Sequence, residues 1–261
     1  MRWIGIDWSG RLAGEANHIW AAVANGEGVN DLRAGRTRKQ LIAWLINEKE
    51  RDPDVVVGID FAFGLPAWFC DQHGLAGAPE LWAHATEEVV ARWLIECPPP
   101  FWGKPGRQRP LDTDGFRATD RLLNAKSVFQ IGGAGAVGTG RLRGWESLVA
   151  LRQAGYSIWP FDEPRLPLVI EVYPRACTGP VRKSDWRARR SWVDNVAPNL
   201  ARDLRDPIIA SEDALDAFAT ALAMSRDQLT DPGPPSHPLA AREGWIWLPP
   251  KPLTAPPLIP V

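Results

Sequence analysis

The chain is poor in the residues that build disulfide or zinc scaffolds: of 261 residues, three are cysteine and four histidine. Cys70, Cys97 and Cys177 are odd in number and widely spaced, with no C-x-x-C pairing, which argues against a cystine framework and a Cys-His zinc site. It also lacks an excess of either charge. Lys+Arg 30 against Asp+Glu 31 leave a net charge of -1, so contact with nucleic acid has to come from a local patch rather than the whole surface. No apolar run approaches the roughly 20 residues of a membrane span. The opening Met1-Arg2-Trp3-Ile4-Gly5-Ile6-Asp7 carries no secretory apolar region, and the expectation is a cytoplasmic chain with no membrane partner. Tyrosine is scarce (2) where tryptophan is abundant (14), and lysine (6) is displaced by arginine (24); both biases resemble base composition and carry no function.

What is present reads as one α/β domain. Residues 3–6, 18–23 and 29–32 are apolar runs separated by Gly- and Asn-bearing turns, the pattern of three sequential strands. Thr37 caps a helix in which Leu41, Ile42, Leu45 and Ile46 recur at helical spacing, and residues 55–59 form a continuous apolar strand after it. Residues 79–97 read as one amphipathic helix with Trp82, Val89, Trp93 and Leu94 along its stripe. Residues 98–144, rich in Pro, Gly and Arg, suit a long surface insertion ahead of the fifth strand. A helix over 144–153, strands over 156–161 and 168–173, and a last helix over about 212–227 follow. Residues 1–230 are thus expected to form the domain, and 231–261, with ten of the 25 prolines, a tail over its surface.

The acids fall in a pattern. Strand one ends Gly5-Ile6-Asp7 and the strand after the first helix ends Gly58-Ile59-Asp60. Were these strands parallel neighbours in register, both carboxylates would emerge at the carboxyl edge of the sheet, where open α/β sheets place their sites. The alternative is that each Asp only caps a turn. On the last helix Asp213 and Asp216 are three apart and share a face. Asp213 has a second reading as a helix-dipole partner, whereas Asp216 lies beyond the first turn of an otherwise apolar helix. Four such acids without basic partners would repel one another unless a hard cation such as Mg2+ or Mn2+ joined them. Asp216→Asn is accordingly expected to stabilise the metal-free protein.

These segments resemble the RNase H-like superfamily, and more closely the bacterial and archaeal family of uncharacterised proteins described as predicted RNase H-like nucleases. The resemblance rests on Gly5-Ile6-Asp7, Gly58-Ile59-Asp60 with Gly64-Leu65-Pro66, Glu171-Val172-Tyr173-Pro174, Asp213-Ala214-Leu215-Asp216-Ala217 and Glu243-Gly244-Trp245-Ile246. The fourth segment is also similar to the closing helix of RuvC-type Holliday-junction resolvases. The resemblance implies a mixed five-stranded sheet flanked by helices. It also implies a metal-dependent nuclease with catalytic and metal-binding Asp7, Asp60, Asp213 and Asp216. Glu171, at a strand end near that site, ranks below them and reads as a further ligand, an acid that supports the ligands, or an ordinary hydrogen-bond acceptor.

Residues 182–192 carry five basic side chains and one acid with Trp186 and Trp192 interleaved. Arg182, Lys183, Arg187, Arg189 and Arg190 then read either as phosphate contacts beside stacking rings or as a solvated helix with its tryptophans in the core. Arg141 and Arg143 are further candidates for nucleic-acid contact. The stretch 133–138 matches G-x-G-x-x-G, but the helix after it begins too late for a pyrophosphate site, and no dinucleotide cofactor is expected. Two other classes stay open. One is an actin-like ATPase or sugar-kinase-related phosphotransfer enzyme, suggested by Gly5-Ile6-Asp7-Trp8-Ser9-Gly10; the other is a catalytically idle binding module.

Overall fold

Alternation along the opening strands sets up the sheet. In β1 (Arg2–Asp7) Ile4 and Ile6 join one apolar cluster and Trp3 joins the other, so the strand is buried on both faces. It pairs antiparallel with β2 (Trp20–Asn25), which pairs antiparallel with β3 (Gly28–Arg33). Thr37 accepts a hydrogen bond from the Gln40 amide and opens α1 (Arg38–Arg51), which leads to β4 (Val55–Ile59). β4 lies parallel to β1 with Gly5 opposite Gly58 and Ile6 opposite Ile59. The computed structural model describes residues 1–112, 114–133 and 136–253.

Six helices follow: α2 (Ala67–Gln72), α3 (Ala78–His84), α4 (Glu87–Glu96), α5 (Ala118–Leu122), α6 (Gly138–Leu142) and α7 (Trp145–Gln153). The single helix expected over 79–97 is two, because the Thr86 hydroxyl accepts from the Val89 amide and starts a new helix. Then come β5 (Ser157–Ile158), β6 (Leu168–Val172), α8 (Pro174–Thr178), α9 (Trp186–Val196), α10 (Arg202–Ala210), α11 (Glu212–Arg226), α12 (Ala240–Glu243) and β7 (Ile246–Trp247). The sheet is mixed as expected but has seven strands in place of five, in the order β3-β2-β1-β4-β6, with β5 and β7 both parallel to β6 along its outer edge.

Further expectations are corrected. Residues 98–144 are more than a surface insertion, since Phe101, Val128, Phe129 and Ile131 sit in the same cluster as Ile4 and Ile6. Residues 231–253 are not a tail laid over the domain: β7 extends the sheet and Trp245 and Trp247 are buried. The helix expected to follow the Gly-rich stretch only at 144 is preceded by the five-residue α6, which opens at Gly138. The remainder of the expected tail, 254–261, lies outside the described residues, as do residues 134 and 135 of the Gly-rich stretch. One face of the sheet packs on α1, α3 and α7, the other on α8–α11. Among the described residues no helix is long and apolar enough to cross a membrane.

Candidate metal centre

The two Gly-Ile-Asp endings do more than bring two carboxylates side by side. With period two, Trp3, Gly5 and Asp7 share a face of β1, and Val56, Gly58 and Asp60 share the same face of β4. α11 crosses directly over the glycines. A Cβ on Gly5 would lie 2.4 Å from the Ala217 carbonyl oxygen and 2.5 Å from the Ala221 nitrogen. One on Gly58 would meet Val172 at 2.8 Å and Met224 at 3.0 Å. Glycine therefore lets the helix backbone descend onto the strands, and Asp216, one residue before Ala217, arrives beside the two strand-end acids.

One carboxylate oxygen each from Asp7, Asp60 and Asp216 lies within 4.8 Å of the others. Burial comes first among the causes that push their protonation up. Asp7 is held well above the ordinary carboxylate range by burial and then by Asp216, Asp60 and Asp213. Asp60 is pushed up to about 7 by burial and Asp216. Asp216 rises to about 6 through burial, against the pull of Lys183. The Lys183 Nζ donates to both Asp216 oxygens, at 2.6 and 2.7 Å. The donor set is all hard oxygen, crowded and incompletely neutralised, which fits Mg2+ or Mn2+.

Asp213, expected as a fourth ligand, stands outside this cluster. It is 39% exposed, one turn nearer the start of α11, and its carboxylate is 3.6 Å from the His18 ring. Glu171 is not a ligand here either, because alternation turns it to the opposite face of the sheet. There its two oxygens take the Arg117 guanidinium at 2.8 and 2.5 Å, and one accepts the Phe63 amide at 2.8 Å. Arg117, 1% exposed, also binds Asp120, while the Glu243 carboxylate accepts the Ala67 and Ala118 amides and so closes the first turns of α2 and α5. Sequence reasoning misses this network. Its traces there are Glu171, with an ordinary hydrogen-bond acceptor among its readings, and Glu243-Gly244-Trp245-Ile246, a segment of the family resemblance to which spacing and composition assign no role.

The basic segment divides. Arg182, Arg187 and Arg190 are exposed, with the Arg187 guanidinium 4.8 Å over the Trp186 ring. Arg189 is corrected to a structural role: it is buried, and its guanidinium donates to the Ile209 and Lys183 carbonyls, fixing the Lys183 backbone against α10. Trp192 is core, its Nε1 donating to the Thr178 carbonyl, whereas Trp186 is exposed. Sequence alone does not mark Lys183 as a partner of the acids, because it lies 33 residues from Asp216 in a run that reads as surface charge. Arg141 is likewise no surface contact. It is fully buried over the Trp145 ring, 5.5 Å from its centroid, with no hydrogen bond among the described residues, and burial lowers it to about 9. Arg143 is half-buried and donates to the Gly10 carbonyl.

No curated protein and no solved structure matches the chain. Residues 5–236 match the model of the family described as "Protein of unknown function (DUF429)", and with most of its length covered the chain belongs to that family.

Proposed function

We propose that the protein is a metal-dependent nuclease that hydrolyses phosphodiester bonds of nucleic acid. The observation that carries this reading is the convergence of Asp7, Asp60 and Asp216, from two parallel strand ends and one crossing helix, on a space one small cation can share. The strand order β3-β2-β1-β4-β6, with an antiparallel meander leading into parallel strands, supports the finer RNase H-like description of the fold.

Asp7, Asp60 and Asp216 would hold Mg2+ or Mn2+. Such an ion lowers the pKa of a bound water and screens charge that develops on the phosphate. Lys183 contributes a fixed positive charge at Asp216, so one divalent ion and one ammonium can balance the three acids. Exposed Arg182, Arg187 and Arg190 continue from Lys183 and offer sequence-independent contacts to a phosphate backbone. Hydrolysis adds water across one P–O bond and yields an alcohol and a phosphomonoester.

Cleavage of single-stranded, duplex, hybrid and junction substrates, assayed with Mg2+, Mn2+ or Ca2+, tests the reading. Turnover with Mg2+ or Mn2+, weak or absent with Ca2+ and lost in Asp7→Asn, is the expected result. Activity that survives in Asp7→Asn, or an inert panel with calorimetrically bound Mn2+, overturns it.

A further inference from the structure

The sheet edge that presents Asp60 also borders a cavity of about 690 Å³. That lies within the roughly 300–1,000 Å³ typical of small-molecule sites. Its walls are held in place before any ligand arrives. The loop after β1 is fixed from two sides: Arg38 donates to the Ser9 and Arg11 carbonyls at 3.0 and 2.9 Å, and the Arg143 guanidinium donates to Gly10. From the same loop the Trp8 Nε1 donates to the Gly140 carbonyl at 3.0 Å, tying it to α6. Gly10 and Gly140 are in close approach there, since a Cβ on Gly10 would lie 2.4 Å from the Gly140 nitrogen.

The lining has four parts with different chemistry, one of them the mutually paired Arg117, Asp120 and Glu171 described above. Trp8 and Phe61, with centroids 5.0 Å apart, give an aromatic wall. Arg11, Lys126 and Arg143 give positive charge, and Lys126 is exposed with no ion pair among the described residues. Asp60 joins the cavity to the acidic cluster. Aromatic surface, several cations and a metal-binding acid in one preformed hollow match a nucleotide: a flat base, a phosphate, and an ester linkage beside the cation. A second hollow of about 540 Å³ on the other side of Arg143, walled by Leu94, Ile95 and Leu142, touches none of the three aspartates and lacks this combination.

We propose that the cavity seats one unpaired nucleotide unit, its phosphate met by Arg11, Lys126 and Arg143 and its ester linkage presented to Asp60. This rests on the nuclease reading of the three aspartates. A base stacked and paired within a duplex cannot enter such a hollow without being extruded, so the substrate is a strand end, an unpaired or flipped residue, or a free mononucleotide.

The test uses the full-length protein and two variants chosen for their positions. Lys126→Glu reverses an exposed charge that has no ion pair among the described residues, and Val137→Trp fills the cavity from a lining residue that is 44% exposed. Calorimetry in magnesium buffer measures binding of thymidine 5′-monophosphate, inorganic phosphate and thymidine. Cleavage of a short labelled single strand and of its duplex is followed with manganese. Expected are tighter binding of the monophosphate than of either fragment and about fivefold weaker binding in Lys126→Glu, one exposed ion pair's worth. Val137→Trp should bind no monophosphate, and wild type should prefer the single strand. Monophosphate affinity unchanged in both variants, or duplex cleaved as well as single strand by Val137→Trp, overturns the cavity assignment and leaves the nuclease reading standing. Variant-sensitive monophosphate binding without cleavage of any strand does the reverse, supporting the cavity as a free-nucleotide site and removing the nuclease. Because Lys126→Glu disturbs no packing, a folding failure of Val137→Trp leaves the question decidable.

Discussion

Two groups of acids lie on opposite faces of one sheet edge, and they are neutralised differently. Facing α2 and α5, Asp120 and Glu171 share the Arg117 guanidinium, and Glu243 is satisfied by two backbone amides. Facing α11, Asp7, Asp60 and Asp216 have between them a single ammonium, bonded to Asp216. The first group contributes rigidity because its charges are compensated within the fold. Burial raises Glu171 too, but there Arg117 and the Phe63 amide oppose it, whereas in the second group neighbouring acids add to burial, a condition that folding alone does not favour and a bound cation relieves.

If that contrast is right, the compensated side is the fragile one. Arg117→Ala leaves Asp120 and Glu171 buried and unpaired, at a cost of about 3–5 kcal/mol. For a chain of this size the melting temperature should fall by on the order of 10 °C, or the protein should not accumulate folded. A thermal melt checks this, and a shift within a degree or two would make the network ornamental.

Next in size is the helix crossing. Gly5→Ala places a Cβ against the backbone of α11, which cannot yield as a side-chain tip would. Overpacking of this kind costs about 1–3 kcal/mol, and here it also lifts Asp216 away from Asp7. Manganese affinity measured by calorimetry should fall together with stability. Gly26→Ala, whose added Cβ would meet nothing within 4 Å, serves as the neutral control.

The uncompensated side is the more legible of the two in the sequence, and for a physical reason. Strand alternation and helical spacing are local periods, so β1, β4 and α11 show in the residue order, and the repeated Gly-Ile-Asp announces two strands with the same task. The Arg117 network has no such period. It joins residues 117, 120, 171 and 243 through contacts up to 126 residues apart, and apart from Glu171 each alone reads as an ordinary loop or surface residue. β7 is hidden for the same cause: two residues in a proline-rich stretch become a strand only because β6 offers them an edge. Asp213 and Asp216 look equivalent by spacing, and only the tilt of α11 over the glycines separates the one in the cluster from the one at its rim.

Smaller, and opposite in sign, is the effect of removing a charge from the cluster. Asp60 is raised to about 7, so between about pH 4 and pH 7 the folded protein keeps a proton that the unfolded chain has released. Its contribution to stability is complete below about pH 4 and is lost as pH rises through about 7. In chelator the wild type should therefore melt lower at pH 8 than at pH 5. Asp60→Asn should gain about 1–2 kcal/mol at pH 8 and little at pH 5, a difference readable in paired melts. Saturating manganese should reverse the order at pH 8. Asp216→Asn, expected from sequence to give this gain, is the poorer choice because it forfeits the two bonds from Lys183. Equal melts of wild type and Asp60→Asn at pH 8 would remove the distinction between the two acid groups.

The smallest change in stability belongs to Lys183, and it sharpens the comparison most, because among the described residues this ammonium is the one cation that bonds any of the three aspartates. Its pair with Asp216 is partly buried, the side chains 17% and 14% exposed, so Lys183→Met should cost no more than about 1 kcal/mol in chelator. The effect on metal should run the other way. Lys183 competes for both Asp216 oxygens, and without it all three carboxylates are available to the ion. Manganese should then bind about tenfold more tightly, equivalent to roughly 1.4 kcal/mol. Calorimetric titration of wild type and variant reads this without any substrate. The melts give a second reading, since the deficit of Lys183→Met in chelator should vanish once manganese is added. If the deficit persists in manganese and the affinity does not rise, Lys183 is a strut between the α8–α9 segment and α11, and the aspartates are compensated by the fold after all.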